Sequence, residues 1–429
     1  MHLAPGRHRI PRAIGSLVLA ALSLGPASVA GAAATHPTVP AGFTISRVAV
    51  APTGASNCDD LAYLDGHLFM GCQNKTLSNG GGGTSTLVEY TPAGALVHTW
   101  TIKDKIDGLN SDPAKHMVIA TLDEDANTHL VTVAPATQQV TYYTYSPDPR
   151  GASTPVALKT GGGTDQVSVD KAGNIFVTGS HAGTPSGTAV FKAVLSAPAS
   201  AGATGTVTLS PTFADNATAA NGNTGNGSVK LALGDVDSGA IVPASSPRFG
   251  GSYVITDQTA LQLVFAKNIF KGTGLTALKT PFGLDDLLWT TAPSGTLYVV
   301  DKGPTANLPK VSASALYKVT GPFTANTVLA SNDGVGDQVV TVNLTNGKLT
   351  PFVQHLNTTK GLVYLNPDGT QTQLPLNGAT ATRVSALKTA AIAPKASSGS
   401  SNTALIVAII AAVLVLLGAG LVARRRMAT

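Results

Sequence analysis

A unit of about fifty residues recurs along this chain, and that recurrence limits the fold more than any other feature. Each copy opens on an aspartate, runs through an apolar strand, turns, and continues into a second strand. Asp165-Gln166-Val167-Ser168-Val169-Asp170 turns at Ala172-Gly173-Asn174 into Ile175-Phe176-Val177. Asp59-Asp60-Leu61-Ala62-Tyr63 turns at Asp65-Gly66 into Leu68-Phe69-Met70. Asp285-Asp286-Leu287-Leu288 reaches Leu297-Tyr298-Val299-Val300 through Ser294-Gly295, and Asp337-Gln338-Val339-Val340 reaches Leu349 through Asn346-Gly347. Asp107-Gly108-Leu109 leads to Met117-Val118-Ile119, and Asp237-Ser238-Gly239 leads to Tyr253-Val254-Ile255. The opening aspartates are 48, 58, 72, 48 and 52 residues apart.

A second hairpin follows each unit, as in Leu87-Val88-Glu89-Tyr90, which turns at Pro92-Ala93-Gly94 into Leu96-Val97. Four antiparallel strands in about fifty residues are half of what a β-sandwich domain needs and match one propeller blade. The expected fold is all-β: a six-bladed β-propeller over 43–388, with the run Phe43–Val50 completing the last blade. The longest gap holds a stretch rich in Ala, Gly, Asn and Thr, about 197–228, expected as an exposed loop insertion.

Asp165 to Val177 resembles one blade of the NHL-repeat and SMP-30/gluconolactonase-like six-bladed propellers. The resemblance extends over three or four of the units. It implies the architecture and, in the gluconolactonase-like members, a divalent metal held by acidic and amide residues at the channel mouth. The first acidic ligand of that pattern has no counterpart before Asp59.

In a propeller the first strand of each blade is innermost. Asp59, Asp107, Asp165, Asp285 and Asp337, with Asp237, are therefore expected to face one another at the mouth of the channel. Clustered carboxylates repel and need compensation. Ca²⁺ or another divalent cation would supply it, since a hard cation takes six or more oxygen ligands. Backbone N–H groups of the adjacent blade would also supply it, and repetition in every unit is what such a packing role predicts. The residues leave both open.

The two ends carry export and topology signals. Arg7, Arg9 and Arg12 precede an apolar run, and small residues close it, so 1–34 reads as a secretory signal. Residues 404–423 carry no charge, enough for a helix of about 30 Å that crosses a bilayer. Arg424, Arg425 and Arg426 follow, which places the tail 424–429 in the cytoplasm and the remainder outside. The segment 389–403 is a short flexible stalk. Six arginines at the two ends account for the formal charge of +5, and without them the chain stands at −1. No basic cluster interleaved with aromatics lies between, so nucleic acid is not an expected partner.

Cys58 and Cys72 flank the Asp65-Gly66 turn almost symmetrically, and an oxidising compartment favours a disulfide across that hairpin. No Gly-x-Ser-x-Gly elbow and no His-Glu-x-x-His motif occurs. The four glycines Gly80–Gly83 lack the Lys-Ser/Thr of a phosphate loop. Two functions are expected from different classes. One is a membrane-anchored extracellular binding module, and the alternative is a metal-dependent hydrolase of the gluconolactonase type.

Overall fold

The apolar runs become strands because β-branched and aromatic residues suit a pleated surface, while Gly, Asp and Asn between them accept left-handed turns. Asp65 and Gly66 sit at φ of 49° and 88°, as a two-residue hairpin turn requires. The computed structural model describes residues 37–379 except 82, 125–127, 147–162, 181–186, 201, 304–312 and 333–335. The expected export signal, stalk, apolar span and basic tail lie outside the described residues. Among the described residues no helix is long and apolar enough to cross a membrane.

The protein is all-β, built from antiparallel sheets in a propeller-like arrangement. β1 (Thr44–Val50) comes first. β2 (Cys58–Leu64), β3 (His67–Cys72), β4 (Thr84–Tyr90) and β5 (Leu96–Lys103) form one meander. β6 (Ile106–Asp112), β7 (Met117–Leu122), β8 (His129–Ala134) and β9 (Gln139–Ser146) form the next. β10 (Thr164–Val169), β11 (Ile175–Gly179), β12 (Thr188–Ser196) and β13 (Gly205–Ala214) form a third. Parallel pairing of Gly205–Thr208 on β13 with Tyr143–Ser146 on β9 joins the second and third at their outer edges.

β14 (Thr218–Asn221) and β15 (Ser228–Lys230) add a hairpin to the outer edge of the sheet holding β16 (Gly239–Ile241), β17 (Tyr253–Asp257), β18 (Gln262–Asn268) and β19 (Thr273–Lys279). The stretch expected as an exposed loop therefore carries all of β13 and β14 and the start of β15. Its Thr and Val residues alternate along β13, whose inward positions are buried, so composition concealed a strand pattern.

The last two sheets are interleaved. β20 (Leu284–Trp289) is followed by β21 (Thr296–Asp301), β22 (Ala315–Thr320), β23 (Val328–Asn332), β24 (Gln338–Val342), β25 (Leu349–Val353) and β26 (Thr359–Leu365). One sheet has the order β20-β23-β24-β25 and the other β1-β22-β21-β26. The hairpin expected between Asp285 and Leu297 does not form, because β20 pairs with β23 and β21 pairs with β26. β1 completes the second of these sheets, with Thr44 opposite Thr320 and Val50 opposite Ala315.

Burial explains why the strands stack this way. β11 and β17 are buried at every position, so their sheets are covered on both faces. Outer strands such as β5 alternate between buried and exposed. Six apolar clusters each join two successive sheets. Met70 and Val88 meet Val300 and Val363; Ile102 meets Val118; Ile119 meets Val167 and Val177. Phe176 and Val190 meet Ile255; Leu263 meets Leu287 and Val340; Val339 meets Leu297 and Leu362. The strands β2, β6, β10, β16, β20 and β26 touch in that cyclic order around a central channel. Cys58 and Cys72 face one another across β2 and β3 and are disulfide-bonded. The closed loop contributes about 3 kcal/mol in the chain-entropy account.

Candidate functional site

Five of the six inner strands, all but β16, reach the channel mouth through an irregularity in their pairing. The register shifts between Cys58 and Leu61 on β2, Ile106 and Gly108 on β6, Thr164 and Val167 on β10, and Leu284 and Leu287 on β20. Opposite β26 it shifts between Val299 and Asp301, which brackets Lys360 and Gly361. A bulge bends its strand and re-aims the side chains it carries. Hydroxyls on the neighbouring strand satisfy the freed N–H groups. Thr121 accepts from Gly108 at 2.8 Å, Thr178 from Gln166 at 2.9 Å, and Thr256 from Ser238 at 3.0 Å.

These bulges place Asp59, Asp107, Asp165 and Asp285 at the mouth, and Asp237 stands just before β16. Asp337 does not belong with them. It precedes β24 in an outer hairpin, and the sixth inner strand is β26, which brings Lys360 to the equivalent place.

Lysines offset part of this acidity. Lys302 Nζ lies 3.0 Å from Asp59 Oδ2, which also accepts from Gln73 Nε2 at 2.5 Å. Lys360 Nζ pairs with Asp285 and lies 3.7 Å from Asp59 Oδ1. Lys105 Nζ bridges Asp107 at 2.5 Å and Glu124 at 2.6 Å. Burial raises the pKa of Asp59, but Lys302 and Lys360 outweigh it and hold the carboxyl below its usual range. Burial likewise opposes charge on Lys105, and Asp107 with Glu124 overcomes it.

The opposite sector has no such lysine contact to Asp165 or Asp237 among the described ion pairs. Burial, reinforced by Asp237, pushes Asp165 well above the usual carboxylate range, and Asp165 Oδ2 has no hydrogen-bond partner. Burial and the nearby Asp285 do the same to Asp237, which accepts from Gln258 at 2.7 Å. Burial thus favours the neutral carboxyl at Asp165, Asp237 and, against the pull of Lys105, Asp107, whereas Lys302 and Lys360 favour the carboxylate at Asp59.

The next residue on each inner strand faces the neighbouring strand. Those residues are Asp60, Gly108, Gln166, Ser238, Asp286 and Gly361. Gln166 Nε2 stands 3.5 Å from Asp60 Oδ1. Asp286 accepts from Leu362 N at 2.6 Å and from Ser238 Oγ at 3.4 Å. Burial raises Asp286 to about 7, with Asp285 adding to it. A Cβ on Gly108 would stand 2.5 Å from the Asp165 carbonyl oxygen and from Gln166 Cα. Gly108→Ala is therefore expected to cost about 1–3 kcal/mol in urea denaturation. A loss under 0.5 kcal/mol would mean the two strands are not in this contact.

Below this layer lies a cavity of about 140 Å³, lined by Tyr63, Ser111, Ser168 and Trp289 among others. Its floor is the segment after β26, Gln371–Leu374. Tyr63 Oη donates to the Gly369 carbonyl at 2.6 Å, Lys171 N donates to Leu374 O at 3.0 Å, and Leu376 is buried. This segment thus passes across the end of the channel remote from the carboxylates.

No protein-family model matches this chain, and no curated protein matches it. Solved structures match it only at low similarity. A nidogen/laminin complex is 10% identical, with a TM-score of 0.41, over 72% of this chain and 85% of that one. A protein from Lactobacillus plantarum is 13% identical, with a TM-score of 0.39, over 73% and 89%. A protein of unknown function from Bacteroides caccae is 11% identical, with a TM-score of 0.39, over 73% and 88%.

Sequence reasoning missed Lys105, Lys302 and Lys360. One signal could have found the last. Lys360-Gly361-Leu362 repeats Asp107-Gly108-Leu109 with the charge reversed.

Proposed function

We propose that this chain is a six-bladed propeller of the NHL/SMP-30-like kind, anchored by 404–423, that presents its channel mouth outside the cell as a binding surface. The eight-stranded sheet is two blades joined at their rims, and each of the other sheets supplies one. The charge pattern of the mouth carries the functional reading. Lys302 and Lys360 contact Asp59, and Lys360 also contacts Asp285, where a hydrolase of the gluconolactonase type would hold its cation. The segment Gln371–Leu374 lining the far end of the cavity favours a ligand that approaches from the mouth. Charged groups of both signs beside buried carboxyls whose neutral form is favoured suit a polar ligand that both donates and accepts hydrogen bonds.

Glycan and peptide arrays probed with the full-length protein test this reading. Ligands retained by the wild type and lost by Lys302→Gln, assayed where circular dichroism shows the variant still folded, are the expected result. Protease added to intact cells is expected to remove the propeller and leave the 424–429 end behind. Divalent-dependent lactone hydrolysis that Asp59→Asn abolishes would replace binding with the hydrolase alternative.

A further inference from the structure

A second cluster lies beside the mouth, outside the ring of carboxylates. Asp104 forms the turn between β5 and β6, Asp123 follows β7, and His129 opens β8. His129 Nε2 lies 3.3 Å from Asp104 Oδ2, and His129 Nδ1 lies 4.0 Å from Asp123 Oδ2. One ligand atom from each residue falls within 4.8 Å of the others, and among the described residues no other such trio of His, Cys, Asp or Glu occurs.

The Asp123 carboxylate supplies the independent observation. Its side chain is 0% exposed. Oδ1 accepts from Lys105 N at 2.9 Å, but Oδ2 is buried with no hydrogen-bond partner. An orphaned carboxylate oxygen is costly to bury, and the cluster turns it toward an imidazole and a second carboxylate. The nearest lysine amine is committed elsewhere, since Lys105 Nζ bridges Asp107 and Glu124. Gly80 from the four-glycine loop passes over the site. A Cβ there would come within 2.5 Å of Asp123 Oδ2, so glycine keeps the space beside that oxygen clear. Asp104 and His129 are 13% and 16% exposed, which gives an ion a path in from solvent.

We propose that Asp104, Asp123 and His129 bind a divalent transition-metal ion, with Zn²⁺ as the best match. One imidazole nitrogen with two carboxylates is a borderline donor set that favours Zn²⁺ over Ca²⁺. Ligand atoms around a tetrahedral ion stand about 3.3 Å apart, so the trio closes on the ion by small side-chain rotations. Three protein ligands leave a coordination position open toward solvent. The competing occupant is a proton, with imidazolium held between the two carboxylates.

The test is calorimetric titration of metal-stripped, untagged full-length protein with Zn²⁺ at pH 7.5. One saturable equivalent is expected, undisturbed by excess Ca²⁺, and Co²⁺ in its place should give visible absorption bands of a low-symmetry site. Asp123→Asn and His129→Gln should each weaken Zn²⁺ at least tenfold. His116→Gln, a surface histidine paired with Asp65, should leave it unchanged. Should Asp123→Asn fail to fold, Asp104→Asn on its partly exposed turn carries the same expectation. No saturable Zn²⁺, or wild-type affinity in His129→Gln and Asp104→Asn, would overturn the site in favour of the bridging imidazolium.

Discussion

Replacing Lys360 by methionine is expected to destabilise the protein by about 3–5 kcal/mol, the cost of leaving a buried ion pair with only one partner. Lys360 contacts both Asp59 and Asp285, and the three side chains are 12%, 16% and 12% exposed. Methionine fills a similar volume without the charge, so the loss reports electrostatics more than packing. Lys115→Met provides the contrast. Lys115 pairs with Asp112 at 2.7 Å but is 42% exposed, so its loss should cost less than about 1 kcal/mol. Urea denaturation of both variants at pH 7.5 checks the difference. The Lys360→Met deficit should shrink near pH 4, where the abandoned carboxylates can take up protons. Equal losses in the two variants would mean that the mouth carboxylates do not depend on Lys360.

Stability should rise as the pH is lowered from 8 to 5. Asp286 has its folded pKa raised to about 7, above the usual value of 3.8. Between those values the folded state holds a proton that the unfolded chain has released. Its contribution is therefore full below about pH 4 and is lost as pH rises through 7, at about 1.4 kcal/mol per pH unit for one group. Asp60, Asp165 and Asp237 shift in the same direction through burial and neighbouring carboxylates. Asp59 shifts the other way, and the stability it supplies is lost only as pH falls below the usual carboxylate range. Asp286→Asn keeps an acceptor for Leu362 N, so it should flatten the pH profile and stabilise the protein at pH 8. Melting temperatures that fall steadily from pH 8 to pH 5 would contradict protonated carboxyls at the mouth.

Much of the architecture could be read in the residues. The apolar runs became strands, the N-terminal run closed the last sheet, and Cys58 met Cys72. The sixth inner strand could not be read, and Asp337 shows why. Asp337-Gln338-Val339 and Asp165-Gln166-Val167 are the same tripeptide. One begins an inner strand buried throughout, and the other begins an outer strand that is only partly buried. A local motif records strand propensity and turn chemistry, whereas position within a sheet depends on partners far along the chain. The lysines were hidden for the same reason. Lys302 stands 243 residues from Asp59, and nothing near either residue announces the pair.

The interleaving of the last two sheets governs the order in which the molecule can be assembled. In a simple ring each blade could zip up as its strands emerge. Here β20 must wait for β23 while the chain detours through the adjacent sheet, and β21 must wait for β26. β1 waits for β22, with Thr44 and Thr320 separated by 276 positions. Pairings of such long sequence separation pay loop-closure entropy before they return contact energy, so they form late. A nascent chain would carry unpaired strand edges at both ends until its final strand arrives. Completion is then a concerted clasp, and a chain that stops before β26 strips one sheet of its inner strand and leaves the ring open beside β20 and β2.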